Sequence, residues 1–276
     1  MNIKKQDKKY IANTYRRFDL DLVKGKKELL YSSDGKEYID MGSGIAVNSF
    51  GVNDEKWKQA VTTQLNLLQH TSNLYYTYPQ VNLAKLLCKK SGMKKVFFAN
   101  SGAEANECAI KAARKYSFDK YNKDRHTIVT LKNSFHGRTI TTLSATGQDI
   151  FHKDFGPFTE GFVYVKADNI EEMEKQITSH KVCAIMLELI QGEGGIIPLD
   201  MDFVLKTEKL CKENDVLLII DEIQTGIGRT GAFYSYMRYG INPDIVTSAK
   251  GLGGGLPIGG ALFNDKTQTV LDYGSH

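Results

Sequence analysis

Cysteine is scarce in this chain of 276 residues. Cys88, Cys108, Cys183 and Cys211 stand far apart and form no CxxC pair, which excludes a disulfide framework and suits reduced thiols in a cytoplasmic protein. No apolar run approaches the length needed to span a bilayer, and no secretion signal opens the sequence. Charge of one sign is also lacking. Lys and Arg number 36 against 32 Asp and Glu, a net +4 spread along the chain apart from Lys4, Lys5, Lys8 and Lys9. Nucleic-acid binders gather such charge into a patch, so neither nucleic acid nor membrane is expected as a partner. There is no internal repeat and no low-complexity tract. What remains is 41% apolar and 25% charged, an ordinary soluble composition in a chain long enough to bury a core without disulfide or metal.

Hydrophobic patterning divides the chain. Residues 7–18 suit a short helix, and residues 20–23, 28–31 and 38–41 suit a small antiparallel lead-in with a Ser-Ser-Asp-Gly turn. Helical patterns follow at 54–69 and 79–90, the second with proline in its first turn. From Lys95 onward short apolar runs alternate with helices. The runs are 96–99, 127–131, 161–165, 182–187, 216–220 and 244–248, with helical patterns at 103–116, 169–178 and 202–212. That rhythm predicts an α/β fold, a mostly parallel sheet covered on both faces. The expected domains are 1–55, part of a small N-terminal domain, and 56–276, a large domain.

In such sheets ligands bind beyond the carboxyl ends of the strands. The chemically distinctive residues fall there: 100–105 after the first strand, Glu188 after 182–187, Asp221 after 216–220 and Lys250 after 244–248. Ser101-Gly102-Ala103 turns a strand into a helix, where free N–H groups suit a phosphate; a plain cap by Ser101 with Glu104 is the simpler use of the same residues. Asp221 follows an apolar run and needs a cationic or hydrogen-bonding partner, which a pyridinium N–H would supply. Gln224 lies within reach of a phenolate on such a ring. Lys250, beside the glycine-rich 251–260, is placed to lose its charge and form a Schiff base, although most lysines are only solvated cations. Phe135 suits stacking and Arg138 a carboxylate clamp, against the alternatives of core packing and a surface arginine. The hexapeptide Gly226-Ile-Gly-Arg-Thr-Gly231 with Asp244 raises a nicotinamide dehydrogenase as a rival, but five residues separate the strand from its first glycine. A dimerising, non-catalytic fragment is the other alternative.

Together the motifs Gly44-Ile-Ala-Val-Asn48, His70-Thr-Ser-Asn-Leu-Tyr-Tyr76, Phe97-Phe-Ala-Asn-Ser-Gly-Ala-Glu-Ala-Asn-Glu107, Ser134-Phe-His-Gly-Arg138, Thr142-Leu-Ser-Ala-Thr-Gly147, Gln191-Gly-Glu-Gly-Gly195, Leu218-Ile-Ile-Asp-Glu-Ile-Gln224 and Ser248-Ala-Lys-Gly251 resemble the class III, ω-amino aminotransferases. The likeness is strongest to the branch that uses acetylornithine. It implies a pyridoxal 5′-phosphate enzyme of fold type I, working as a homodimer on N-acetylornithine and 2-oxoglutarate, with no metal. By the same resemblance Gly102 and Ala103 hold the phosphate, Phe135 stacks on the ring, Asp221 pairs with the pyridine nitrogen and Gln224 with the phenolic oxygen. Lys250 carries the cofactor, Arg138 binds the α-carboxylate, and Glu193 pairs with an arginine when the ω-amine is bound. Two stretches depart from the family pattern, 50–54 and Leu189 where proline is common. The family also runs on beyond Tyr273-Gly-Ser-His276 into a phosphate-binding threonine motif and a C-terminal small domain. The resemblance therefore implies a C-terminally truncated chain with little or no turnover by itself.

Overall fold

The computed structural model describes residues 3–121, 124–179 and 181–276. By its contacts the chain forms two compact units, Met1–Asn73 and Leu74–His276.

The first unit holds α1 (Ile3–Tyr10), an antiparallel sheet of β1 (Leu22–Lys26), β2 (Leu29–Ser32) and β3 (Glu37–Ile39), the short turn α2 (Ser43–Ala46) and α3 (Glu55–Leu67). Helix α1 lies earlier than the expected 7–18. Its last bond runs from Ile11 N–H to Asp7 O, after which Asn13 and Thr14 favour local turns over helix; Thr14 Oγ1 donates to Ala12 O. Asp54 caps α3 by accepting from Trp57 N–H at 2.8 Å.

The second unit runs α4 (Tyr78–Ser91), β4 (Lys95–Ala99), α5 (Gly102–Tyr121), β5 (Thr127–Leu131), α6 (Ile140–Ala145), α7 (Asp149–His152), β6 (Phe162–Val165) and α8 (Ile170–Ile177). It continues with β7 (Val182–Leu187), a small hairpin of β8 (Ile190–Gln191) and β9 (Ile197–Pro198), α9 (Met201–Glu213), β10 (Leu217–Asp221), α10 (Tyr236–Tyr239), β11 (Ile245–Ser248) and β12 (Gly259–Phe263). Among the described residues no helix is long and apolar enough to cross a membrane.

Seven strands form the main sheet in the order β4-β12-β11-β10-β7-β5-β6. All neighbours pair in parallel except β12, which is antiparallel to both β11 and β4. Side chains alternate between the two faces, as the pleat requires. Leu217 and Ile219 pack with Ala109, Ala112 and Ala113 of α5, while Leu218 and Ile220 pack with Phe203 and Val204 of α9. The alanines of α5 let that helix lie close along the sheet. Continuing the alternation sends Asp221 to the α5 side and Glu222 to the other.

Strand β12 was not expected, because 251–260 reads as a glycine-rich loop. Its first residue explains the glycine. A Cβ at Gly259 would sit 2.1 Å from Ser101 O and 2.7 Å from Ser101 C, both backbone atoms that cannot swing away. Gly259→Ala is therefore expected to lower stability by about 1–3 kcal/mol, the usual cost of overpacking; an unchanged melting temperature would contradict this placement of β12 against the Ser101 turn.

Candidate active site

Because β4, β5, β7, β10 and β11 all point the same way, their carboxyl ends share one edge of the sheet. At β10, Asp221 is 4% exposed. Its Oδ1 accepts from Ile223 N–H at 3.0 Å, and its Oδ2 accepts from Asn106 Nδ2 at 2.8 Å and lies 2.8 Å from His136 Nδ1. Asn106 Nδ2 also donates to His136 O at 2.7 Å, so one α5 amide fixes both the acid and the histidine. Burial works against charge on His136, but its bond to Asp221 and the charges of Asp221 and Glu188 outweigh burial and raise its pKa above the ordinary value. Neither Asn106 nor His136 stands out in these roles from the sequence. A polar residue on the alanine-lined face of α5, beside Ala105 and Ala109, was the available signal.

Across the sheet, Asp221 pairs in register with Thr247 of β11, and Lys250 follows three residues later. Lys250 is half-buried and begins a short 3₁₀ turn at a φ of +45°, a strained backbone for a residue with a side chain, of the kind found at functional positions. Burial lowers its pKa, and the Asp221, Glu188 and Glu193 carboxylates only partly restore it. Lysine and the three acids are thus within one electrostatic neighbourhood.

At the end of β4, Ser101 Oγ accepts from Glu104 N–H at 3.2 Å, and Glu104 Oε2 accepts from Asn100 N–H at 2.7 Å. The reciprocal cap forms one residue earlier than the Ser101–Glu104 box alone would give. It leaves the N–H groups of Gly102 and Ala103, at the positive end of a 20-residue helix, without acceptors among the described residues. Ile223 lies against Gly102, where a Cβ would sit 2.8 Å from its Cδ1. The backbone bond from Ile223 to Asp221 thus links the Gly102 turn to the buried acid.

The remaining residues border this edge. Phe135 is half-buried, with its ring 5.8 Å from that of Phe151 in an edge-on arrangement. The Arg138 guanidinium stands over both rings, 5.5 Å from the Phe135 centroid and 4.4 Å from that of Phe151, within cation–π range. Gln224 lies against Gly192, where a Cβ would meet its Nε2 at 2.6 Å. Glu193, next in chain, is exposed.

The residues fit a phosphorylated pyridine aldehyde. Asp221 Oδ1 has a single donor and room for a second. His136 Nε2 and Asn106 Oδ1 are buried without a partner among the described residues. Burial makes the amine of Lys250 easier to deprotonate than in water, and an anion cradle opens at α5. A dehydrogenase site is not formed. Asp244 lies at the opposite end of β11, where its Oδ2 accepts from Leu218 N–H at 2.9 Å and its Oδ1 from Asn264 Nδ2 at 3.0 Å, and 226–231 is a run of turns with no following helix at its glycines.

Residues 10–276 match the family described as aminotransferase class-III. The chain is 54% identical over 274 residues to the acetylornithine aminotransferase of Haemophilus ducreyi, covering 99% of this chain and 70% of that protein. Among solved structures, the ornithine aminotransferase of Toxoplasma gondii superposes with a TM-score of 0.95 at 30% identity, over 99% of this chain and 66% of that one. The N-acetylornithine aminotransferase of Stenotrophomonas maltophilia gives a TM-score of 0.83 at 36% identity, over 97% of this chain and 66% of that one. The chain thus spans about two thirds of the length of the proteins it resembles.

Proposed function

The chain belongs to the class-III aminotransferases, and from that premise we propose that it moves the δ-amino group of N-acetylornithine to 2-oxoglutarate. Its cofactor is pyridoxal 5′-phosphate. The observation that carries the reading is the gathering of Asp221, Lys250 and the free N–H groups of Gly102 and Ala103 at one sheet edge, in a chain 54% identical to an acetylornithine aminotransferase.

When bound, the cofactor supplies an aldehyde carbon that joins an amine and a charged ring that takes up the electrons of a broken C–H bond. The N–H groups of Gly102 and Ala103 hold the phosphate at the helix start. Phe135 covers a face of the ring. Asp221, fixed by Asn106 and His136, offers its second Oδ1 site to the ring N–H, and Gln224 donates to the phenolic oxygen. Lys250 would hold the cofactor through its aldehyde carbon, and its amine, easier to deprotonate for being half-buried, would take the proton from the substrate carbon. Arg138, steadied by two aromatic rings, clamps the substrate's α-carboxylate with two parallel bonds. Glu193 stands on the donor side.

The reading includes a homodimer in the cytoplasm. Exposed Tyr75, Tyr76 and Tyr78 at the start of the second unit support a subunit contact, and four free thiols suit a reducing compartment.

The test is a substrate panel on the full-length protein carrying this sequence, loaded with pyridoxal phosphate and 2-oxoglutarate. N-acetylornithine is expected to exceed ornithine, succinylornithine and 4-aminobutyrate in kcat/KM by about tenfold, or roughly 1.4 kcal/mol. Higher kcat/KM on any of the other three would reject acetylornithine as the donor.

A further inference from the structure

Glu188 directly follows β7 and is 6% exposed, beside β10, where Leu187 pairs with Ile220. Its Oε1 accepts from Phe135 N–H at 2.8 Å and its Oε2 from Gly192 N–H at 3.1 Å. These two donors lie 53 residues before it and 4 residues after it. Burial raises the Glu188 pKa above the usual carboxylate range, the charge of His136 opposes this, and the charge of Asp221 adds to it. A carboxylate is costly in such a place, and packing alone would be served by an apolar side chain.

Both bonded partners belong to the functional edge. Gly192 opens the turn that carries Glu193. Gln191 Nε2 donates to Lys132 O at 2.9 Å, and the N–H groups of Gly195 and Ile196 both donate to Gly192 O at 3.2 Å. Gly194 presses on the Phe135 loop itself, since a Cβ there would sit 2.5 Å from Asn133 O. The turn is therefore stacked on residues 132–135, with Glu188 beneath the joint. A carboxyl group gives each of two separate N–H donors its own oxygen, whereas an amide has a single acceptor oxygen and would turn N–H groups toward the other donor.

We propose that Glu188 is a positioning residue whose two oxygens lock the Phe135 loop to the Glu193 turn, so that the ring contact and the donor-side carboxylate keep a fixed spacing. This rests on the aminotransferase reading above. The charge of Glu193 reaches the Lys250 amine, so the positively charged δ-amine end of a donor arriving at Lys250 also meets Glu193, whereas the 2-oxo acid brings no positive group to it. Loosening the turn must weaken the donor more than the acceptor.

The experiment is Glu188→Gln in the full-length, cofactor-loaded enzyme. The variant is expected to keep the visible absorbance of the bound cofactor, to raise KM for N-acetylornithine about five- to tenfold (near 1.4 kcal/mol at tenfold), and to leave KM for 2-oxoglutarate within about twofold. Equal change in both constants, or change in neither, overturns the proposal. Amide hydrogen exchange on the unaltered enzyme tests it without any variant: Phe135 and Gly192 must both be protected, and rapid exchange at either refutes the lock. A wild-type protein with neither visible cofactor absorbance nor turnover would instead defeat the aminotransferase reading, and the exchange measurement would still decide the role of Glu188.

Discussion

Lys250→Ala is expected to erase the visible absorbance of the cofactor-loaded protein and to cut turnover by about 10²–10⁴-fold from lost proton transfer alone. The lysine is the amine held at the β11 end under the influence of three carboxylates, and burial keeps its charge less favourable than in water. On the proposed reading one side chain serves both purposes, so the covalent hold on the cofactor and the proton acceptor are lost together. Added small amines such as methylamine would restore part of the proton transfer but not the covalent attachment. A variant with undiminished absorbance and wild-type turnover would show that Lys250 is only a strained turn residue.

Asp221→Ala carries the second large effect, felt in both stability and rate. His136 Nδ1 and Asn106 Nδ2 would each lose their acceptor inside a region closed to water. Breaking a buried pair in this way costs roughly 3–5 kcal/mol, which a denaturant titration would read directly. If Asp221 pairs with the ring nitrogen as proposed, the ring would lose the acid that holds its charge, and kcat should fall by at least about a hundredfold, within the range that such positioned groups contribute. Asp221→Asn separates the two effects. It fills the same space and can still accept one bond, so stability should recover more than rate. If kcat recovered fully with asparagine, the charge of Asp221 would have no part in the chemistry.

The alternation of strands and helices was legible because β5, β7, β10 and β11 are short, apolar and bounded by helices with a separate period. The placement of Asp221 and Lys250 followed from it, since a parallel sheet brings distant strand ends together. What sequence did not disclose is how Asp221 is held. Its partners Asn106 and His136 lie 115 and 85 residues away, and nothing local marks them except a polar residue on a small-residue helix face. Glu188 is legible in the sequence as a strand-end acid, but its two backbone bonds depend on loops that no periodicity describes. Strand β12 was hidden for another reason. Two glycines open it, and glycine argues against a strand when read from propensity; here close approach to Ser101 requires it. The hairpin of β8 and β9 is too short to leave a pattern.

The antiparallel strand has a bearing on how the protein is made. Strand β4 pairs only with β12 within the main sheet, and β12 lies more than a hundred and fifty residues later in the chain. Until residue 263 has left the ribosome, β4 has no neighbour and β11 keeps an open edge, so the nascent chain carries two unsatisfied strand borders at once. The phosphate cradle hangs from β4 while the lysine hangs from β11. A cofactor that needs both groups is therefore held only once residue 263 has emerged and β12 has slotted between β4 and β11.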